Sequence, residues 1–298
     1  MNRKLIQLGK TLVVSLPCQI VEKLKLKKGQ EIEVIDKDKE ILIRQLTEKQ
    51  QQELCINLKG YNERILKRAL SATYKAGFEK LKILCDKNQI KHIEKYLDFY
   101  VGLILIEKGE DYILIKDVSD SAIGDFLPIF KKTFFILKQI SSELLEKIRK
   151  SEKLELEEIT ERKTNTLKHI NFCLKQLNKE GLQSLKETNV YFYMLSILNL
   201  INDSYFKLGK YYIKNKSFSK NTILFYNEVD NFLEKTHGFF FSNFNLKELY
   251  EIRESLIEKK KKNINEIPNI YLVFIAKLIR ELIETKMIVN IIKKEAIE

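Results

Sequence analysis

The side chains best placed to do chemistry in this chain are bases at its head. Arg3 and Lys4 precede the apolar stretch "LIQL", Lys10 follows it, and Lys23, Lys25, Lys27 and Lys28 come a little later. Residues 1–28 hold these seven bases against one acid, Glu22, whereas residues 29–46 hold three bases and five acids. Positive charge gathered at one end suits a polyanion, because each base that neutralises a phosphate releases condensed counterions and makes binding salt-dependent. The whole chain carries 53 Lys+Arg against 41 Asp+Glu, a formal net charge of +12. That balance fits nucleic acid or an anionic membrane face. Of the seven, Arg3, Lys4 and Lys10 are the candidate contacts to double-stranded DNA; the four around Lys23–Lys28 read as a solvated helix face.

Nothing else in the sequence offers a reaction. No phosphate-cradling, dinucleotide-binding, zinc-protease or nucleophile-elbow pattern occurs, so an enzyme is not expected. Cys18, Cys55, Cys85 and Cys173 are widely spaced, without a CxxC pair, as in reduced, disulfide-free proteins. His169 and Cys173 share a helix face four residues apart, but Ile170, Phe172 and Leu174 around them point to packing rather than a thiol–imidazole pair. His92 reads as a surface histidine. The aromatic stretch "KTHGFFFSNF" at 235–244 reads as a helix end plugging a core, and the Lys259–Lys262 run as a solvated helix end.

These side chains must be carried by some scaffold, and the first 46 residues set it out. Residues 3–7 and 11–16 are expected strands joined by Leu8-Gly9-Lys10. Pro17 opens a helix through Ile20, Val21 and Leu24, and Gly29 closes it as a left-handed cap. Glu31–Val34 and Ile41–Ile43 alternate about an Asp36–Lys39 turn, as a hairpin does. A β-β-α-β-β unit of this size cannot bury a good core by itself, so a second copy is expected to complete it. Residues 47–58 read as a polar connector, and 59–118 as a small mixed α/β domain in the order α-β-α-β-β. From 119 on the chain reads as all-helical: helices near 120–150, 153–185, 188–214, 219–241, 245–262 and 266–296, each with an apolar stripe. Short links between long helices imply an antiparallel bundle. Six helices suggest two three-helix repeats, about 119–215 and 216–298, in which Asp203 and Glu284 hold corresponding places. "NEVDNFL" at 227–233 adds the acid pair Glu228 and Asp230.

"LGKTLVVSLPCQIVEKLKLKKGQEIEV" resembles the AbrB/MazE/SpoVT family, with Gly9, Pro17, Leu26, Gly29 and the Glu31–Val34 alternation in place. The resemblance implies a swapped-hairpin, barrel-like homodimer that binds DNA through basic residues near its N-terminus. The helical half resembles the PhoU family. That likeness implies acids clustered about a divalent metal, here Asp203, Glu228, Asp230 and Glu284, although Asn165 stands where a further acid belongs. The two together resemble archaeal PhoU-domain regulators. The combined likeness implies an α+β multidomain transcription regulator linked to phosphate homeostasis, or an adaptor that docks on a transporter ATPase or sensor kinase. No stretch reaches the ~18–20 apolar residues of a membrane span. The apolar run Thr11–Leu16 is too short for a secretory signal, so a cytoplasmic location is expected.

Overall fold

The computed structural model describes residues 2–37, 40–45, 53–119, 126–241, 247, 250, 251, 254 and 266–293. The chain divides into two compact units, Met1–Gln50 and Gln51–Glu298.

Unit 1 holds β1 (Leu5–Leu8), β2 (Thr11–Val14), α1 (Cys18–Lys23), β3 (Ile32–Lys37) and β4 (Glu40–Gln45). β1 pairs antiparallel with β2, in register Leu5 to Val14 and Leu8 to Thr11. β3 pairs with β4, Ile32 to Gln45 and Lys37 to Glu40. The two hairpins form separate two-stranded sheets, and no closed barrel appears among the described residues of the single chain. α1 also ends earlier than the sequence suggests. Its last turn closes as a Schellman motif, in which Leu26 N–H donates to Val21 O at 2.9 Å and Lys25 N–H to Glu22 O at 3.1 Å. Lys25 itself takes the left-handed conformation at φ +50°, and Gly29, at φ +81°, serves the following turn instead.

Unit 2 opens with a strand where the sequence suggests a polar connector, β5 (Glu53–Asn57). α2 (Glu63–Ala76) carries the chain back to β6 (Lys80–Leu84), which lies parallel to β5, a βαβ crossover. α3 (Lys87–Leu97), β7 (Leu103–Lys108) and β8 (Tyr112–Asp117) complete a sheet of order β5-β6-β8-β7, in which β8 runs antiparallel to both neighbours. Caps fix both helices. The Asn62 side chain accepts from Ile65 N–H at 3.1 Å, and Asp86 and Gln89 form a capping box. Leu66, Leu70, Ile83, Ile93, Ile113 and Ile115 fill the core beneath them.

Five long helices follow among the described residues: α4 (Phe126–Lys150), α5 (Leu156–Lys179), α6 (Leu185–Asn215), α7 (Lys220–Phe241) and α8 (Ile267–Lys293). The helix expected over 245–262 lies almost wholly outside the described residues, as does the Lys259–Lys262 run. α6 starts three residues early because the Ser184 side chain caps it, accepting from Glu187 N–H at 3.1 Å. The five pack in the cycle α4, α5, α6, α8, α7 and back to α4, and α4 also packs on α6. One continuous core, from Phe126 to Val289, runs through all five. Helices of both expected repeats contribute to this one core.

The sheet and the helices of unit 2 are joined by a buried ion pair. Lys175 of α5 donates to Asp117 at the end of β8 (2.7 Å) and to Ser119 Oγ (2.6 Å), and the two charged side chains are 1% and 3% exposed. The ammonium also lies over the rings of Tyr74 and Phe172, 4.9 and 5.0 Å from their centroids. Gly102 makes room for this corner: a Cβ there would stand 2.5 Å from Ser119 Cβ, and its φ of +84° suits glycine.

Candidate nucleic-acid interface

Unit 1 places its bases without neutralising them. Arg3 and Lys4 lead into β1, and Lys10 sits in the tight turn between β1 and β2, next to Gly9. The turn is braced locally, Gln7 Nε2 donating to Gly9 O at 3.3 Å. All three basic side chains are exposed. Lys23, Lys25, Lys27 and Lys28 surround the C-terminal end of α1, where cations complement the negative end of the helix dipole. None of the seven enters an ion pair among the described residues. A base left in water and unpaired is free to meet a phosphate without first giving up a partner.

The apolar side chains of unit 1 are equally unspent. In the β1–β2 register, Leu5, Leu12 and Val14 share one face, and Ile6, Leu8 and Val13 the other. Leu8 is 70% exposed and Ile41, on β4, 74%. Pro17 is the one fully buried residue among the described residues of this unit, and α1 buries none. A hairpin apolar on both faces has no stable place in water alone.

The acids of unit 2 are distributed differently. Asp203 on α6 pairs with Lys163 of α5 at 2.6 Å. Glu284 on α8 pairs with Arg280 of its own helix at 3.5 Å. Glu228 and Asp230 are two residues apart on α7, a turn of about 200° that sends them to different sides of the helix. The four are not brought together. Among the described residues no group of three or more His, Cys, Asp or Glu could hold a metal ion. Burial pushes the Asp230 carboxyl above the ordinary aspartate range, the Ser141 hydroxyl pulling the other way.

The thiol and imidazole candidates settle into packing. Cys173 is buried in the bundle core, which pushes its thiol up to about 12. A thiol so held carries no thiolate near neutral pH. His169 turns its Nδ1 to Asn165 O, 2.9 Å away. Phe239 and Phe240 are buried and His237 stacks among Phe134, Phe135 and Phe241, so the described part of the aromatic stretch does plug the core. His92 has a neighbour that the sequence does not reveal, Glu63 on α2, at 3.5 Å.

Residues 6–51 match the family model for antidote-toxin recognition MazE, a bacterial antitoxin. No curated protein and no solved structure matches the chain. The matched stretch coincides with the segment whose glycines, proline and alternating strands resemble AbrB, MazE and SpoVT. It covers unit 1 from Ile6 onward, with Arg3 and Lys4 just before it, and leaves the helical half, with its PhoU-like reading, without a match. No described helix is long and apolar enough to cross a membrane.

Proposed function

We propose that the chain is a DNA-binding regulator that acts as a homodimer built through unit 1. The observation that carries this reading is the coincidence, within some fifty residues, of seven bases without an ion pair and a fold without a core among the described residues. A second copy would cover the apolar hairpins and, by two-fold symmetry, double the bases on one surface. Arg3, Lys4 and Lys10 from each copy would grip one duplex, chiefly through phosphates. The family match over residues 6–51 supports the same reading. Unit 2 would supply the effector or partner surface. Its link to phosphate homeostasis rests on the resemblance of the helical half alone. The antitoxin family match would also allow a toxin-capturing tail, which describes that half poorly, since its helices share one continuous core.

An electrophoretic mobility shift with duplex DNA across ~50–200 mM salt tests the proposal. The expected result is binding at low salt that falls steeply as salt rises. Arg3→Ala with Lys10→Ala should weaken binding to all sequences and flatten the salt slope, by about 1 for each phosphate no longer neutralised. No binding at low salt, or binding indifferent to the double substitution, would sink it. In that case a pull-down that recovers one stoichiometric protein partner, such as a transporter ATPase or sensor kinase, would favour an adaptor that keeps unit 1 only for dimerising.

A further inference from the structure

α8 is apolar on two sides. Leu272, Ile275, Ile279 and Leu282 face the bundle core and are wholly buried. Away from the core, Ile267, Ile270, Phe274, Ile288 and Ile291 are exposed, Ile291 by 60%. A helix with an apolar stripe on its solvent side is not finished by its own fold. The exposed positions follow alternating steps of three and four, and Lys277, Glu281 and Glu284 continue that line through the middle. This is the a/d spacing of a coiled-coil seam. Lys277 enters no ion pair among the described residues, while Glu281 and Glu284 share Arg280 of the same helix.

We infer that this stripe is a self-association surface: α8 pairs antiparallel with α8 of a second copy, about a two-fold axis midway between Lys277 and Glu281. The stripe is apolar at both ends and charged in its middle. Reversed on itself, it sets Ile267 against Ile291 of the second copy, Ile270 against Ile288, and Lys277 against Glu281. Phe274 meets Glu284, whose aliphatic stem covers the ring. Every pair is made twice, as an isologous contact requires. The charges choose both occupant and direction. Antiparallel pairing places opposite charges at the centre, whereas parallel pairing would set Lys277 on Lys277 and Glu284 on Glu284. Like charges facing each other disfavour that register. A partner helix that is uniformly acidic or basic would satisfy one half of the centre and repel the other.

The inference does not rest on DNA binding, and its test leaves unit 1 in place. In the full chain with the exposed cysteines removed (Cys18→Ser, Cys55→Ser), Ile270→Cys and Ile288→Cys are introduced together and treated with a short bis-maleimide. The expected product is a covalent dimer. Ile270→Cys alone should give little, because antiparallel pairing holds the two copies of position 270 roughly 27 Å apart. The same separation prevents linkage within one chain. Lys277→Glu added to the cysteine pair should lower the yield several-fold, and Lys277→Glu with Glu281→Lys should restore it. No adduct from the cysteine pair, equal adduct from Ile270→Cys alone, or no rescue by the charge exchange would overturn the assignment. Circular dichroism of each variant, expected to be unchanged, separates failed pairing from failed folding. Failure of the N-terminal reading would appear in the mobility shift and leave this cross-link intact.

Discussion

Unit 1 and unit 2 treat the same kinds of side chain in opposite ways. Unit 1 exposes Leu5, Leu8, Leu12 and Ile41 and leaves Arg3, Lys4 and Lys10 unpaired. Unit 2 folds Phe130, Leu198, Ile201 and Leu282 into one core and ties Lys147, Lys163, Lys175 and Lys179 to carboxylates. Both have apolar strands or helices and many lysines, so composition alone does not separate them. The difference is whether a residue's complement lies in the same chain. A region whose complements are missing is built to receive them from elsewhere. On the readings proposed above, unit 1 would receive apolar surface and phosphate, and α8 apolar surface and a mirrored pair of charges.

The strongest way to break this contrast is to remove half of a satisfied pair. Lys175→Ala or Asp117→Ala leaves its partner buried and uncompensated, and each should cost about 3–5 kcal/mol in denaturant unfolding. Replacing both, as Lys175→Met with Asp117→Leu, should recover most of that loss, because the desolvation penalty goes with the charges. Burial already pulls the Lys175 ammonium below the ordinary lysine value, despite the opposing pull of Asp117. A single substitution that costs no more than an exposed one would mean the corner is not holding sheet and helices together. Next in size is Leu198→Ala, wholly buried on α6, expected to cost about 2–5 kcal/mol at any protein concentration. Leu12→Ala in unit 1 should act through association instead. Hydrogen exchange in β1 to β4 should become faster on dilution, a readout local to unit 1, and a loss independent of concentration would contradict the coreless description of that unit.

The sequence makes unit 1 legible because its signals are local. A glycine turn, a proline and alternating residues fix β1 to β4 within a few positions of each other. Where a reading slips, a non-local or atypical choice is responsible. β5 is hidden behind "TEKQQQ", and only its parallel pairing with β6, across α2, shows that Leu54 and Ile56 face a core. The end of α1 is expected at Gly29 because glycine usually takes the left-handed cap, yet Lys25 takes it. The Asp117–Lys175 pair joins residues 58 apart, which no periodicity announces. The four candidate metal ligands are left apart for a related reason: family-like spacing along helices says nothing about which neighbour each acid will find.

Lys25 gives the next, smaller test. A residue with a Cβ at φ +50° in the left-handed region is strained by roughly 1 kcal/mol, and glycine is not. Lys25→Gly should therefore stabilise unit 1 by about that amount, measured as slower hydrogen exchange at Leu24 and Leu26. It also removes one of the seven bases, so DNA affinity compared at matched salt separates the two effects. Unchanged exchange would mean that the turn is not limited by Lys25.

The smallest effect probes the place where unit 2 departs from its own rule. Asp230 is a carboxylate pushed upward in pKa by burial, with Ser141, Arg149 and Lys138 opposing and Glu234 assisting. A carboxyl whose folded pKa exceeds its unfolded value favours the protonated form on folding. Its contribution is therefore fully present below the unfolded pKa and is lost as pH rises through the folded one. At neutral pH the ionised group is a liability. Asp230→Asn should raise the thermal midpoint at pH 7, and the gap over the parent should shrink toward about pH 4, where aspartate is half protonated even when unfolded. A gap constant across that range, or a lower midpoint at pH 7, would mean that Arg149 and Lys138 hold the carboxylate as an ion pair. Added divalent metal sharpens the outcome, since a site that used Asp230 as a ligand needs it ionised. Metal would then stabilise the parent at pH 7 and leave Asp230→Asn unmoved, whereas a merely buried acid gives no metal response in either.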